Sequence, residues 1–217
     1  MKTALEKETE IVLPENLWDK YSEKSTNAHH RLVEAIFKQI EIKDINTANH
    51  CRAVAYYSEC IGICMGLDKR ELSLLKDAAM LHDIGKLMVD LVVLNKKGTL
   101  DDRERLQMQR HAEIGMRILA GFHLSDKITD AAWHHHERWD GTGYPDGLKG
   151  ENISLITRIV SISDALEAMS AVRPYNGPLP FQQIIQELTH GAGRQFDPEL
   201  AQKARGLLMD KKMQIMG

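Results

Sequence analysis

At 217 residues, 43% of them hydrophobic, the chain holds enough apolar material for one large domain or two small ones. A formal charge of −3 argues against a general polyanion binder, so polymeric nucleic acid is not an expected partner. The start, MKTALEKETE, has no apolar signal core, and no apolar run reaches membrane-spanning length, which points to a soluble cytoplasmic protein without membrane insertion. Cys51, Cys60 and Cys64 are odd in number and lack a C-x-x-C spacing, so they read as small buried hydrophobes in a reducing compartment.

In chain order the pattern is helical nearly throughout. Residues 1–24 are charged and weakly patterned, and read as an N-terminal segment or linker ahead of a domain spanning 25–217. Ser25 or Thr26 is placed to cap a helix in which Leu32, Val33, Ile36, Phe37 and Ile40 recur at helical spacing, with His29 and His30 as surface polarity in its first turn. Thr47 opens the next helix, which runs to Gly66. Asp68 followed by Glu71 reads as a capping box before LSLLKDAAMLHD. On that helix His82 ends an otherwise apolar stripe with Asp83 directly behind it. A carboxylate beside an imidazole at a buried helix end needs a cation or a full set of hydrogen bonds. A break at Gly85 leaves Lys86 free to turn toward the same cavity.

Val89 to Leu94 fits either helix or strand. One helix is expected from Asp101 to Ala120, with His111 on its apolar face, and Ser125 starts another that carries the histidine run. The stretch AWHHHERWDGTGYPDGLKG, Ala132 to Gly150, puts three imidazoles next to a glycine-rich loop. A histidine run can be solvated surface, but neutral imidazole is also the commonest ligand for transition metals. Consecutive helical residues point about 100° apart, so only two of His134, His135 and His136 readily face one cavity. Asp164 then sits in an apolar helix spanning about 153–171, the proline-rich RPYNGPLP is irregular, and helices over 181–190 and 198–209 follow, the last capped by Asp197.

These oddities form one constellation: His82, Asp83, His111, two of the three consecutive histidines, and Asp164, each on a predicted helix beside core-facing neighbours. Histidines and carboxylates converging inside a helical bundle build dinuclear sites. Mixed nitrogen and oxygen ligation without thiolate suits iron, manganese, cobalt, nickel or zinc. Two such ions about 3.5–4 Å apart generate a hydroxide nucleophile and neutralise a phosphoryl oxygen, which implies phosphoester hydrolysis.

At these residues the sequence resembles the HD-GYP family of cyclic-di-GMP phosphodiesterases. HDIGK at 82–86, HAEIG at 111–115, HHERWDGTGYPDGL at 135–148 and SDALEAMSAVRPY at 163–175 carry the likeness. It implies an all-α, HD-type helical bundle with a GYP loop extension. His82, Asp83, His111, His135, His136 and Asp164 match the family's metal ligands for two divalent transition metals, iron or manganese, with Asp83 bridging. His50 matches a first histidine whose ligation depends on metal number. Lys86 matches the lysine that neutralises charge on the scissile phosphate. Tyr144 and Arg173 match groove positions, while Gly141, Gly143 and Pro145 read as a turn bracing the histidine helix. The implied partner is a cyclic dinucleotide, cleaved to linear pGpG and on to GMP by a hydroxide bridging the metals, with a homodimer or signalling protein as the higher-order partner.

Three positions depart from the family pattern. Asn46 stands where some members carry a glutamate for a third metal, Asn176 where a basic residue often follows RPY and lines the substrate groove, and Glu167 where aspartate is usual. The rival readings are an adaptor that keeps the fold without turnover and an HD nucleotidase or guanosine tetraphosphate hydrolase, which would lack the GYP string.

Overall fold

The computed structural model describes residues 28–171 and 177–215. The segment at 1–24, the Ser25 or Thr26 cap, Arg173 and Asn176 lie outside the described residues. The architecture is all-α: α1 (Ala28–Lys43), α2 (Ile45–Cys64), α3 (Lys69–Leu81), a 3₁₀ turn (Ile84–Met88), α4 (Leu91–Leu94), α5 (Asp102–Gln109), α6 (His111–Gly121), α7 (Asp126–His134), α8 (Leu155–Ser170), α9 (Phe181–Gly191) and α10 (Pro198–Met209). The only strand-like feature among the described residues is one bridge between Ala192 and Phe196. No helix among them is long and apolar enough to cross a membrane.

Local chemistry sets most helix ends. Asp68 accepts from the Arg70 and Glu71 amides, and the Glu71 side chain reaches back to the Asp68 amide, so the expected capping box forms. Asp197 likewise caps α10, with Pro198 in its first turn. Two boundaries differ from the sequence reading. The start of α2 is set by Asp44, whose carboxylate accepts from the Asn46 and Thr47 amides and from the Thr47 hydroxyl at 2.6 Å, so Thr47 is inside the helix instead of opening it. The single helix expected over 101–120 is two, with Arg110 at the joint. A second capping box, Asp101 with Glu104, starts α5, but α5 buries none of its side chains, so no core contact holds it collinear with α6.

The core gathers around α2, which packs mainly on α3 and α8, while α6 lies between α7 and the 3₁₀ turn. Val54, Ile61, Leu75, Leu81, Ile84, Ile128, Ile159 and Leu166 are fully or almost fully buried, each contributing about 1.5–3 kcal/mol of apolar transfer. The Tyr57 hydroxyl meets Ser170 Oγ at 3.1 Å, tying α2 to α8 inside this core. The chain does not break at Gly85 as expected. α3 ends at Leu81 with His82 as its cap residue, and the backbone continues as the 3₁₀ turn. Gly85 serves a close approach instead: a Cβ there would stand 1.9 Å from the His111 carbonyl oxygen. That contact presses the turn carrying Asp83 and Lys86 against the first residue of α6.

Candidate metal centre

Side chains from five segments meet at one end of this bundle. His50 comes from α2, His82 and Asp83 from the end of α3, His111 from the start of α6, His135 and His136 from the turn after α7, and Asp164 from α8. Asp83 and His136 thus lie just past helix ends, where a side chain can turn across the bundle axis. Among the described residues, donor atoms of His111, His135 and His136 form one group within 4.8 Å of one another, and those of His50, His82 and Asp164 form another.

Asp83 stands between the two groups. Its Oδ1 lies 3.3 Å from His111 Nε2 and 3.8 Å from His135 Nε2. Its Oδ2 lies 3.3 Å from His82 Nε2 and 3.4 Å from His50 Nε2, with Lys86 Nζ at 2.5 Å. Each carboxylate oxygen therefore faces one half of the cluster.

The imidazoles are held with a nitrogen free for coordination. Nδ1 of His82 lies 2.7 Å from the Ala79 carbonyl, Nδ1 of His111 2.5 Å from the Met108 carbonyl, and Nδ1 of His135 3.1 Å from those of Ala131 and Ala132. A carbonyl only accepts, so these nitrogens carry a proton, which leaves Nε2 as the atom that can offer its electron pair to a cation. Such Nε2 atoms face each other at short range: 3.2 Å for His111 and His135, and 3.2 Å for His111 and His136. Lone pairs converging at that distance beside a buried carboxylate fit a divalent cation.

Electrostatics separates the halves. Burial, together with neighbouring imidazoles, holds His135 well below the usual histidine range and takes His136 down to about 4. Burial also lowers His111. In the other half burial opposes protonation, but Asp164, Asp83 and Glu167 override it at His50, and Asp83 with Cys51 takes His82 up to about 10. Burial opposes the Asp83 carboxylate too, and Lys86 with His82 holds it well below the usual range.

The third histidine of the run, His134, turns away. Its ring nitrogens meet Asp130 Oδ1 at 2.7 Å and Asp146 Oδ2 at 2.9 Å, linking α7 to the glycine-rich loop. His29, read as surface polarity, lies 3.1 Å from the buried Asp77. The loop braces the histidine turn as expected: a Cβ on Gly143 would stand 2.6 Å from the His136 carbonyl oxygen, and the Tyr144 ring stacks on His136 with centroids 4.9 Å apart. Its far side is pinned where Asp140 N donates to the Arg194 carbonyl at 2.8 Å. A cavity of about 530 Å³ opens beside the cluster, bordered by His135, His136, Tyr144, Asp164, Arg138 and Glu187.

Three residues at the site were not singled out as functional from sequence. Glu167, noted only as a departure, has Oε2 2.6 Å from His50 Nδ1, so its extra methylene brings the carboxylate onto that ring. Glu137, third in HHE, is 2% exposed and accepts from the Asp146 amide at 2.7 Å, tying the histidine turn to the loop. Cys51, read as a small hydrophobe, is buried but groups with His82 and Asp83, whereas Cys60 and Cys64 are half-buried. Adjacency to His50 was the available signal for Cys51, and for Glu137 it was membership of the HHE string.

A family model described as "HD domain" matches residues 31–200. The chain is 37% identical over 173 residues to 3'3'-cGAMP-specific phosphodiesterase 2 of Vibrio cholerae, an overlap covering 79% of this chain and 33% of that protein. It is 35% identical over 164 residues to a cyclic di-GMP phosphodiesterase of Thermotoga maritima, covering 75% and 45% respectively. The chain thus spans less than half the length of either relative. Among solved structures, Bd1817, an HDG"Y"P protein from Bdellovibrio bacteriovorus, is alike in fold, with a TM-score of 0.64 at 16% identity over 83% of this chain and 63% of that one. With a family model matching most of its length and relatives of this similarity, the chain belongs to the HD-domain family, in its HD-GYP branch.

Proposed function

We propose that this chain hydrolyses a phosphodiester bond of a cyclic dinucleotide, cyclic-di-GMP first, releasing linear pGpG and cleaving it more slowly to GMP. The observation that carries the proposal is Asp83, with one oxygen toward each half of the donor cluster. HD-domain phosphohydrolases are metal-dependent, and the names of the relatives support the substrate class.

His82, Asp83, His111, His135, His136 and Asp164 would hold two divalent metals, iron or manganese, with His50 as a peripheral ligand or an orienting group. Such a pair, when bound, supplies an activated water at neutral pH and neutralises phosphoryl charge. The protein's own groups do the rest. Carbonyl bonds to Nδ1 fix the ring orientations, so little reorganisation is needed. The Lys86 ammonium, held on Asp83, is poised to offset negative charge growing on the scissile phosphate. The Tyr144 ring borders the cavity and offers a face for a purine, while burial and the nearby Asp83 and Asp164 carboxylates keep its hydroxyl protonated. By the family resemblance, Arg173 is assigned a phosphate contact and Asn176 a substrate contact. A volume near 530 Å³ falls in the range of small-molecule sites.

The test is to load the protein with iron or manganese without oxygen, supply cyclic-di-GMP and 3'3'-cGAMP separately, and chromatograph the products. Linear dinucleotide is expected. Metal-replete protein that turns over neither substrate would overturn the proposal and leave an adaptor module.

A further inference from the structure

The imidazoles and carboxylates of the cluster offer nitrogen and oxygen donors, and Cys51 adds sulfur. Its sulfur, a ring nitrogen of His82 and an oxygen of Asp83 all lie within 4.8 Å of one another, and all three residues are buried. Because His82 Nδ1 is committed to the Ala79 carbonyl, the nitrogen that faces the cluster is Nε2. That atom also lies 3.3 Å from His50 Nε2, so His82 belongs to both donor groups of this half. His50 and Cys51 are consecutive on α2, so one helix brings both side chains to His82. Among the described residues neither Cys60 nor Cys64 enters any donor group.

Cys51 also packs within the hydrophobic core, so its sulfur stands where the apolar interior meets the donor cluster. On that side it meets a ring nitrogen of His82 and a carboxylate oxygen of Asp83. Metal–sulfur and metal–nitrogen bonds of about 2.3 and 2.0–2.1 Å put two donors on one tetrahedral ion about 3.5 Å apart. Closure from the present spacing therefore asks for little side-chain movement.

We propose that Cys51 is a ligand to the metal held by His82 and Asp83, giving this half of the cluster one sulfur donor. The proposal rests on the metal-centre reading above. On coordination the S–H bond breaks, its proton leaves to solvent, and a sulfur electron pair binds the ion without change of oxidation state. A thiolate shifts this half toward softer ions, so zinc and cobalt gain over manganese.

The test uses the full chain loaded with cobalt(II), whose bond to sulfur gives a near-ultraviolet charge-transfer band. Wild-type protein should show the band, and a Cys60→Ser, Cys64→Ser double variant should keep it. Cys51→Ser should lose it while still binding cobalt, and its zinc affinity relative to manganese should fall about tenfold or more. Two bound cobalt ions with no band in wild-type protein would overturn the sulfur ligand and leave the metal centre standing. Failure to take up cobalt would overturn both. The wild-type spectrum alone decides, so the proposal stays exposed even if the serine variant folds poorly.

Discussion

Among the described residues, the half of the donor cluster facing Asp83 Oδ1 groups three imidazoles, whereas the half facing Oδ2 combines His50 and His82 with Asp164. In the first half burial pushes every ring toward its neutral form. In the second, fixed anions draw protons onto the rings, and Glu167 and Lys86 extend the charge network outward. An ion in the first half would therefore be balanced mainly by Asp83, and one in the second by several groups. The contrast teaches that the shared carboxylate matters to both halves, while other ligands matter unequally.

Asp83→Ala is the strongest way to break this arrangement. It removes the carboxylate that faces both halves, so both metals should be lost and kcat/KM should fall on the order of 10³-fold or more. Elemental analysis with product chromatography checks this, and wild-type metal content with wild-type hydrolysis would refute the bridging role. A sharper comparison sets His111→Ala against His50→Ala. The first should cost one metal per chain. The second leaves His82, Asp83 and Asp164 in place and should weaken one metal by about 10–100-fold without abolishing it. Equal losses in titrations of the two variants would mean that the halves do not differ as described.

A smaller effect separates chemistry from ligand capture. Lys86→Ala should lower kcat about 100-fold with little change in affinity, because its ammonium acts on charge that develops during the reaction. Arg173→Ala should instead weaken binding more than turnover. Steady-state kinetics beside direct binding distinguishes the two, and matching profiles would merge their roles.

Much of this site is readable from residues because ionisable groups on apolar helical stripes are costly to bury unpaired. His82, His111 and Asp164 stand out on that ground, and the Asp68 capping box is legible because it closes within four residues. Resemblance, not periodicity, chose His135 and His136 from the run of three. What resists reading depends on distant partners. Glu167 matters through a histidine 117 positions away, and Cys51 through a ring on another helix. The joint at Arg110 reflects the absence of core under α5 and the fit of Gly85 against His111, neither of which is a local property.

The smallest expected effect asks how much rigidity the three-histidine half borrows from its surroundings. Asp130 accepts from His134 and from the Ser154 and Thr157 hydroxyls, joining α7 to α8. Burial opposes its charge, but these hydrogen bonds hold its carboxyl below the usual range. A lowered folded value means that the charged group's stabilisation is present above the unfolded value, near 3.9, and fades as pH falls through the folded one. Asp130→Asn should cost about 1–2 kcal/mol at neutral pH, and the gap should narrow below about pH 4. Denaturant melts across that range test it, and a gap independent of pH would exclude the carboxylate charge as the cause.

The most direct test of the central claim is the number of tightly bound metals per chain. Asn46 is exposed and offers a neutral amide where a third divalent ion would need an anion. Reconstituted protein should hold two, rising to three in Asn46→Glu. A single tightly bound metal, or three in the unmodified chain, would contradict a dinuclear centre bridged by Asp83.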